Sequence, residues 1–190
     1  MAKQIIRCGW VTDDPLYIDY HDHEWGVPIY DGLELFELLN LEGAQAGLSW
    51  ITILKKRECY REVFDNFDPN KIVRYNKQKI AKLMANPGIV RHELKINSVV
   101  TNARAFLTMQ EQGIDFAEYL WRYVEGVPVK NNWSQLKQIP AKTTISDAMS
   151  KDLKKCGFKF VGSTICYAFM QAAGMVNDHV TDCFRYKKSL

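Results

Sequence analysis

The chain has 190 residues, with 25 lysines and arginines against 22 aspartates and glutamates, for a net charge of +3. This is the composition of an ordinary globular protein, and no apolar run approaches the roughly 20 residues of a membrane span. The weak positive charge permits a nucleic-acid partner without demanding one, and it excludes no other class by itself.

The opening "MAKQIIRCGW" holds an apolar pair but no signal-peptide core, so a cytoplasmic protein is expected. The five cysteines, Cys8, Cys59, Cys156, Cys166 and Cys183, are odd in number and scattered. In a reducing compartment they are thiols, and thiols near histidines are candidate metal ligands. The stretch "YHDHEWG", Tyr20 to Gly26, carries two of the four histidines, His21 and His23. Trp10, Tyr17, Tyr20 and Trp25 place aromatic rings nearby, either as plain core or as the wall of a binding slot.

From Leu38 to Leu54 the chain reads "LLNLEGAQAGLSWITIL", with Glu42 as its single charge. A carboxylate in such surroundings either turns to solvent at a helix junction near Gly43 or is buried. If buried, its pKa rises and it waits for a donor on a ligand. Trp50 lies eight residues on, near the same face if one helix runs through. A tryptophan beside a carboxylate makes a slot for a flat, cationic or hydrogen-donating ring.

Helical periodicity dominates the rest. Asp68-Pro69 reads as a capped helix start, and Asn76 and Ser146 as further caps. Ile96, Val99, Val100, Ala103, Phe106 and Leu107 form an apolar stripe, and Gly113 a stop. Phe116, Leu120, Trp121 and Val124 repeat the pattern, as do Ile165, Cys166, Phe169, Met170 and Ala173. Residues 127–144 read as a loop. No alternating run marks a strand, so the expected fold is all-α, a single unit over 1–190. Basic residues cluster at Lys55-Lys56-Arg57, at Arg91-His92 with Lys95, and at Lys151, Lys154, Lys155 and Lys159; each cluster is a solvated face or a phosphate contact.

One helix is expected to stop at Gly157 and another to start at Ser163-Thr164, with "GFKFVG" between them. The amides opening the second helix, with Lys154, Lys155 and Lys159 around them, suit a helix-hairpin-helix over about 146–174. Such a hairpin holds a DNA phosphate without reading sequence; the plain alternative is an ordinary helical hairpin. Near the C-terminus "NDHVTDC" sets His179 and Cys183 four apart. With Cys8 and His21 these make a Cys2His2 set that suits tetrahedral zinc. By spacing alone His23 could stand for His21, and the cysteines could be apolar fillers.

These segments together resemble the 3-methyladenine DNA glycosylase I family, from "RCGWV" and "DPLYIDYHDHEWGVP", through "LFELLNLEGAQAGLSWITILKKR" and "GIVRHELKI", to "LKKCGFKFVGSTICYAFMQAAGMVNDHVTDC". The resemblance implies an all-α, helix-hairpin-helix glycosylase. Its structural zinc would be held by Cys8, His21, His179 and Cys183, joining the ends 8–21 and 179–183. It implies Glu42 as the residue that accepts from the base, with Tyr20, Trp50, Tyr17 and Trp10 around it. It implies Gly157, Lys159, Gly162, Ser163 and Thr164 at the DNA backbone. It makes His23 a bystander, and Asp178 is expected to serve the zinc surroundings or a helix cap. The implied protein is a monomer acting on alkylated double-stranded DNA, with no nucleotide cofactor and no lysine nucleophile. A damage-binding module without catalysis is the main rival expectation.

Overall fold

The computed structural model describes residues 5–187. Among these, ten α-helices carry the fold: α1 Pro15–His23, α2 Gly32–Gln45, α3 Trp50–Leu54, α4 Arg57–Val63, α5 Pro69–Ile72, α6 Lys77–Ala85, α7 Glu93–Glu111, α8 Phe116–Trp121, α9 Thr144–Lys155 and α10 Ser163–Ala172. The mostly helical expectation holds, with one small exception. Two-residue strands β1 (Val129–Lys130) and β2 (Val176–Asn177) pair in parallel, Val129 opposite Val176. Two residues are too few to leave an alternating pattern, which is why the sequence reads there as loop.

Local chemistry starts and stops the helices. Asp31 caps α2 by accepting from the Leu33 and Glu34 amides at 2.8 and 2.9 Å. Asp68 caps α5, with Pro69 at its first position, and Asn76 caps α6. Ser146 is not a cap. Thr143 is, and Ser146 is its partner three residues in, each side chain bonding the other's backbone amide. Gly113 and Gly157 end α7 and α9 at φ +73° and +96°, where a side chain would be strained. At Gly157 the two bonds of a Schellman turn are present, Gly157 N to Lys154 O (3.1 Å) and Phe158 N to Leu153 O (3.0 Å).

The stripe on α7 buries Ile96, Val99, Ala103 and Phe106. Phe106 meets Phe36 of α2 and Phe116 of α8 at ring distances of 5.1 and 5.0 Å. Each fully buried phenylalanine contributes about 1.5–3 kcal/mol from area alone. Helix α7 is therefore the spine against which α2 is set, and α2 carries Glu42. Helix α10 packs on α2 and on α9. At Gly174 the chain passes so close to Val27 and Pro28 that an added Cβ would lie 2.5 Å from their backbone. That contact fixes the end of α10 against the segment after α1.

Candidate active site

A cavity of about 420 Å³ opens between α1, α2, α3 and α10. Glu42 enters it from α2, Tyr17 and Tyr20 from α1, and Trp50 from the first turn of α3; Trp10 and Trp25 close the side next to the N-terminal segment. Tyr20 and Trp50 lie 5.5 Å apart, and Trp10 and Tyr17 5.0 Å. Glu42 is 3 % exposed, and its Oε2 has no hydrogen-bond partner. Burial pushes its pKa from an ordinary 4.5 up to about 8. Burial likewise raises Tyr17 and Tyr20, and the nearby Glu42 adds to both. The Trp50 Nε1 is also buried without a partner. Two residues lining this ring-walled slot therefore each carry an unmatched polar atom, and a buried polar atom left so is costly until a partner meets it.

Glu42 and its four aromatic neighbours come together, but not by one continuous helix. Helix α2 ends at Gln45, and the chain turns through Ala46–Ser49, with Gly47 at φ +78°, before α3 begins. Lys95 of α7 holds that turn. Its ammonium donates to the carbonyls of Ala44 and Ala46 at 2.8 and 2.6 Å, and burial lowers its pKa. Lys95 thus leaves the basic cluster in which the sequence groups it. Its spacing one residue before Ile96 and four before Val99 is the signal that puts it on the buried side of α7. The cluster at Lys55–Arg57 is also engaged within the fold: Lys55 with Asp14 (2.6 Å), Lys56 with the Pro87 carbonyl (2.7 Å), and Arg57 in a two-point pair with Glu24. The far wall of the cavity is absent from the sequence reading. It comes from Leu136, Ile139 and Pro140 of the loop and from Thr164, Tyr167 and Gln171 of α10. Single residues of common type more than 90 positions from Glu42 carry no local pattern to find them by.

Behind the aromatic wall Cys8, His21, His179 and Cys183 converge, all buried, with their ligand atoms within 4.8 Å of one another. Cys183 Sγ lies 3.4 Å from His21 Nε2 and 3.6 Å from His179 Nδ1, and Cys8 Sγ lies 3.5 Å from His179 Nδ1. The set can hold a metal ion. His23 is outside it, exposed and bonded to Asp19, so the geometry chooses His21. Asp22 accepts from His21 Nδ1 at 2.7 Å and from Arg7 at two points. Burial opposes the charge on Asp22, but these bonds hold its pKa below the usual carboxylate value. A histidine oriented by a carboxylate is the usual support for a ligand to a metal. The neighbouring Cys8 pulls the Cys183 thiol down, and Cys183 together with burial pushes Cys8 up. The rings of Trp25 and His179 meet at 4.6 Å, which joins this cluster to the cavity wall.

Asp178, expected to serve the zinc surroundings or a helix cap, adjoins the cluster and its charge raises Cys8, but its side-chain bonds run elsewhere. It accepts four side-chain bonds, from Asn131, Trp133, Tyr167 and Gln171. It thereby ties the loop after β1 to α10.

The hairpin between α9 and α10 sets Gly157 at the stop and Gly162 at the start of α10, with no side chain capping the α10 amides at Ser163 and Thr164. A Cβ added to Gly162 would meet nothing within 4 Å. Lys159 is exposed, while its backbone is held at both ends by Asn102 of α7. Asn102 accepts from the Lys159 N–H at 2.8 Å and donates to its carbonyl at 3.2 Å. Asn102 also donates to Asn40 of α2 at 2.9 Å, two residues before Glu42.

A mostly helical fold with a buried carboxylate in an aromatic cavity, next to an open helical hairpin, defines a protein built to take in a flat ring. The chain belongs to the methyladenine glycosylase family, whose sequence pattern matches residues 10–186. It is 54 % identical over 180 residues to the DNA-3-methyladenine glycosylase 1 of Escherichia coli K12, covering 95 % of this chain and 96 % of that one. A crystal structure of 3-methyladenine DNA glycosylase I superposes with a TM-score of 0.93 at 55 % identity, over 94 % of this chain and 98 % of that one. A variant of such an enzyme in complex with 3-methyladenine superposes with a TM-score of 0.89 at 41 % identity, over 94 % and 96 % of the two chains.

Proposed function

We propose that this chain is a monofunctional DNA glycosylase of base excision repair that hydrolyses the N-glycosidic bond of 3-methyladenine in alkylated double-stranded DNA. The observation that carries this reading is the unpartnered Glu42 carboxyl inside the aromatic cavity. Methylation at N3 puts positive charge on the purine, and the base then leaves as a neutral molecule, so little acid catalysis is needed. The protein's task is to extrude the nucleotide and hold the cationic ring. Extrusion costs a few kcal/mol, and ring stacking returns about 1–3 kcal/mol per base. A cation entering the cavity favours the carboxylate form of Glu42, which then accepts a charge-assisted bond from the base edge. Water attacks C1′ as the C1′–N9 electron pair leaves with the base. Unmodified adenine has neither the charge nor the leaving group.

In this reading the hairpin is a helix-hairpin-helix. The α10 amides at Ser163 and Thr164 receive a phosphate, Gly162 leaves it room, and Lys159 adds charge. Leu48, 42 % exposed at the turn between the two cavity-lining helices α2 and α3, is the apolar side chain placed to fill the gap left in the duplex. The residues 1–190 act as one all-α domain, working as a monomer in the cytoplasm. The Cys2His2 set holds a structural zinc. With metal–sulfur near about 2.3 Å and metal–nitrogen near about 2.0 Å, a tetrahedral site sets sulfur–nitrogen edges of about 3.5 Å, and Cys8–His179, Cys183–His21 and Cys183–His179 lie 3.4–3.6 Å apart. Four protein ligands leave no open position, so the metal supplies rigidity and no chemistry.

Chromatography of the bases released from methylated duplex DNA tests the reading. The wild type releases 3-methyladenine, and Glu42→Gln slows that release at least roughly tenfold, the effect of losing one charge-assisted contact. A wild type that binds methylated DNA but frees no base would leave a damage-binding module in its place.

A further inference from the structure

One polar side chain of the cavity is oriented from behind. Gln171 lines the cavity, and its Nε2 donates to Asp178 Oδ2 at 2.8 Å. Asp178 is 1 % exposed and also accepts from the Tyr167 hydroxyl (2.7 Å), the Trp133 indole (2.7 Å) and the Asn131 amide (2.6 Å). Each Asp178 oxygen thus accepts from two donors, Oδ1 from Asn131 and Trp133 and Oδ2 from Tyr167 and Gln171. Turning the Gln171 amide over would press its carbonyl oxygen against a carboxylate oxygen with no proton between them. The amide therefore has one orientation, and Oε1 is the polar atom that this side chain offers to an occupant of the cavity. A fixed carbonyl pairs with an N–H and rejects another carbonyl, because a site built for a donor is left unmatched by a ligand that lacks it.

We propose that Gln171 is a specificity-determining residue whose carbonyl oxygen accepts a hydrogen from the exocyclic amine of the everted purine and turns away purines with an oxo group at that position. The inference rests on the glycosylase reading above. Asp178 is then a positioning residue, acting through Gln171. Methylated DNA contains both kinds of base, 3-methyladenine with the amine and 3-methylguanine with the oxo group.

The experiment compares the rate constants for release of these two bases from methylated duplex DNA. Wild type favours 3-methyladenine. Gln171→Met keeps the length of the side chain and removes both amide atoms, and it lowers the ratio of the two rate constants roughly tenfold. A loss of packing alone slows both bases and leaves the ratio where it was. Gln171→Leu replaces the methionine variant if that one does not fold. The proposal is overturned if wild type shows no preference or if the ratio survives the apolar variant. A wild type that frees neither base overturns the glycosylase reading instead. Calorimetry with the two free bases then decides on Gln171: a preference lost in the methionine variant supports it, and a preference that survives there refutes it.

Discussion

Glu42 sits where it harms the empty protein. Its pKa is about 8 in the fold against an ordinary 4.5, because burial penalises the charge. A carboxyl whose folded pKa lies above its unfolded one keeps a proton that the unfolded chain has lost. The part of folding stability that Glu42 controls is therefore highest below pH 4.5, falls as pH rises to about 8, and is level beyond. Three and a half pH units correspond to an upper bound on the order of 5 kcal/mol. Glu42→Gln cannot ionise, so scanning calorimetry without ligand should show a melting temperature above that of wild type by several degrees at pH 8–9. That gain should shrink to nothing or reverse near pH 4.5, where the buried amide brings its own unmet bonds. The same variant should bind 3-methyladenine more weakly, so stability and binding move in opposite directions, as expected for a residue kept for its ligand. An equal melting temperature at every pH would mean that Glu42 is solvated. Glu42 is legible in the sequence because it is the lone charge in a seventeen-residue apolar stretch. Gln171 is not, because a glutamine on an amphipathic helix looks the same whether it faces solvent or a carboxylate.

At the scale of elements the hairpin offers a clean separation of fold from function. Gly162 stands at the N-cap of α10 with φ −65° and ψ 158°, ordinary extended backbone, and has open space around its Cα. Gly162→Asp should therefore cap α10 better than glycine does and oppose the helix dipole, adding a few tenths to about 1 kcal/mol of stability. The same carboxylate meets any phosphate approaching the α10 amides. Duplex binding should weaken at least roughly tenfold and lose about one unit of its salt slope, while the melting temperature holds or rises. Fluorescence titration at several salt concentrations reads both quantities; unchanged DNA affinity would move the DNA face elsewhere. This hairpin was legible because glycine stops, the amphipathic stripe and the flanking lysines all act within a few residues of one another. The α2–α3 junction was less so. Nothing in "AQAGLSW" forces a break, and the turn at Ala46–Ser49 depends on the Lys95 ammonium arriving from about fifty residues away. The cap of α9 moved from Ser146 to Thr143 for a subtler reason: both hydroxyls take part in one reciprocal box, and only the backbone angles tell which stands outside the helix.

Over the whole molecule, the Cys2His2 set and its surroundings join the N-terminal segment to the C-terminal one. The Phe184 amide donates to the Ile6 carbonyl at 2.9 Å, the Arg7–Asp22–His21 relay orients one ligand, and β1 pairs with β2 just before His179. The strand pairing and the Asp178 hub were invisible in the sequence, because each ties residues 129–133 to residues more than forty positions away. The metal set was visible only as residue types and became a geometry once the helices were placed. Trp25 touches His179 on one side and lines the cavity on the other, so loosening the ends should reach the base site. Protein purified without chelator should carry about one zinc per chain by elemental analysis, and a Cys8→Ser, Cys183→Ser double variant should carry none. Stripping the metal leaves two thiols and two imidazoles buried at 3.4–3.6 Å without their common partner. Binding free energy for the native state alone is lost as folding free energy. A chelated sample should melt at least several degrees lower and show faster hydrogen exchange first in segments 6–26 and 176–186, with α7 protected longest. Binding of 3-methyladenine should weaken in step with the loss of protection around Trp10 and Trp25. Full protection of both ends in the double variant, with the base still bound as tightly, would mean that ordinary packing closes the chain and the cysteines are apolar fillers.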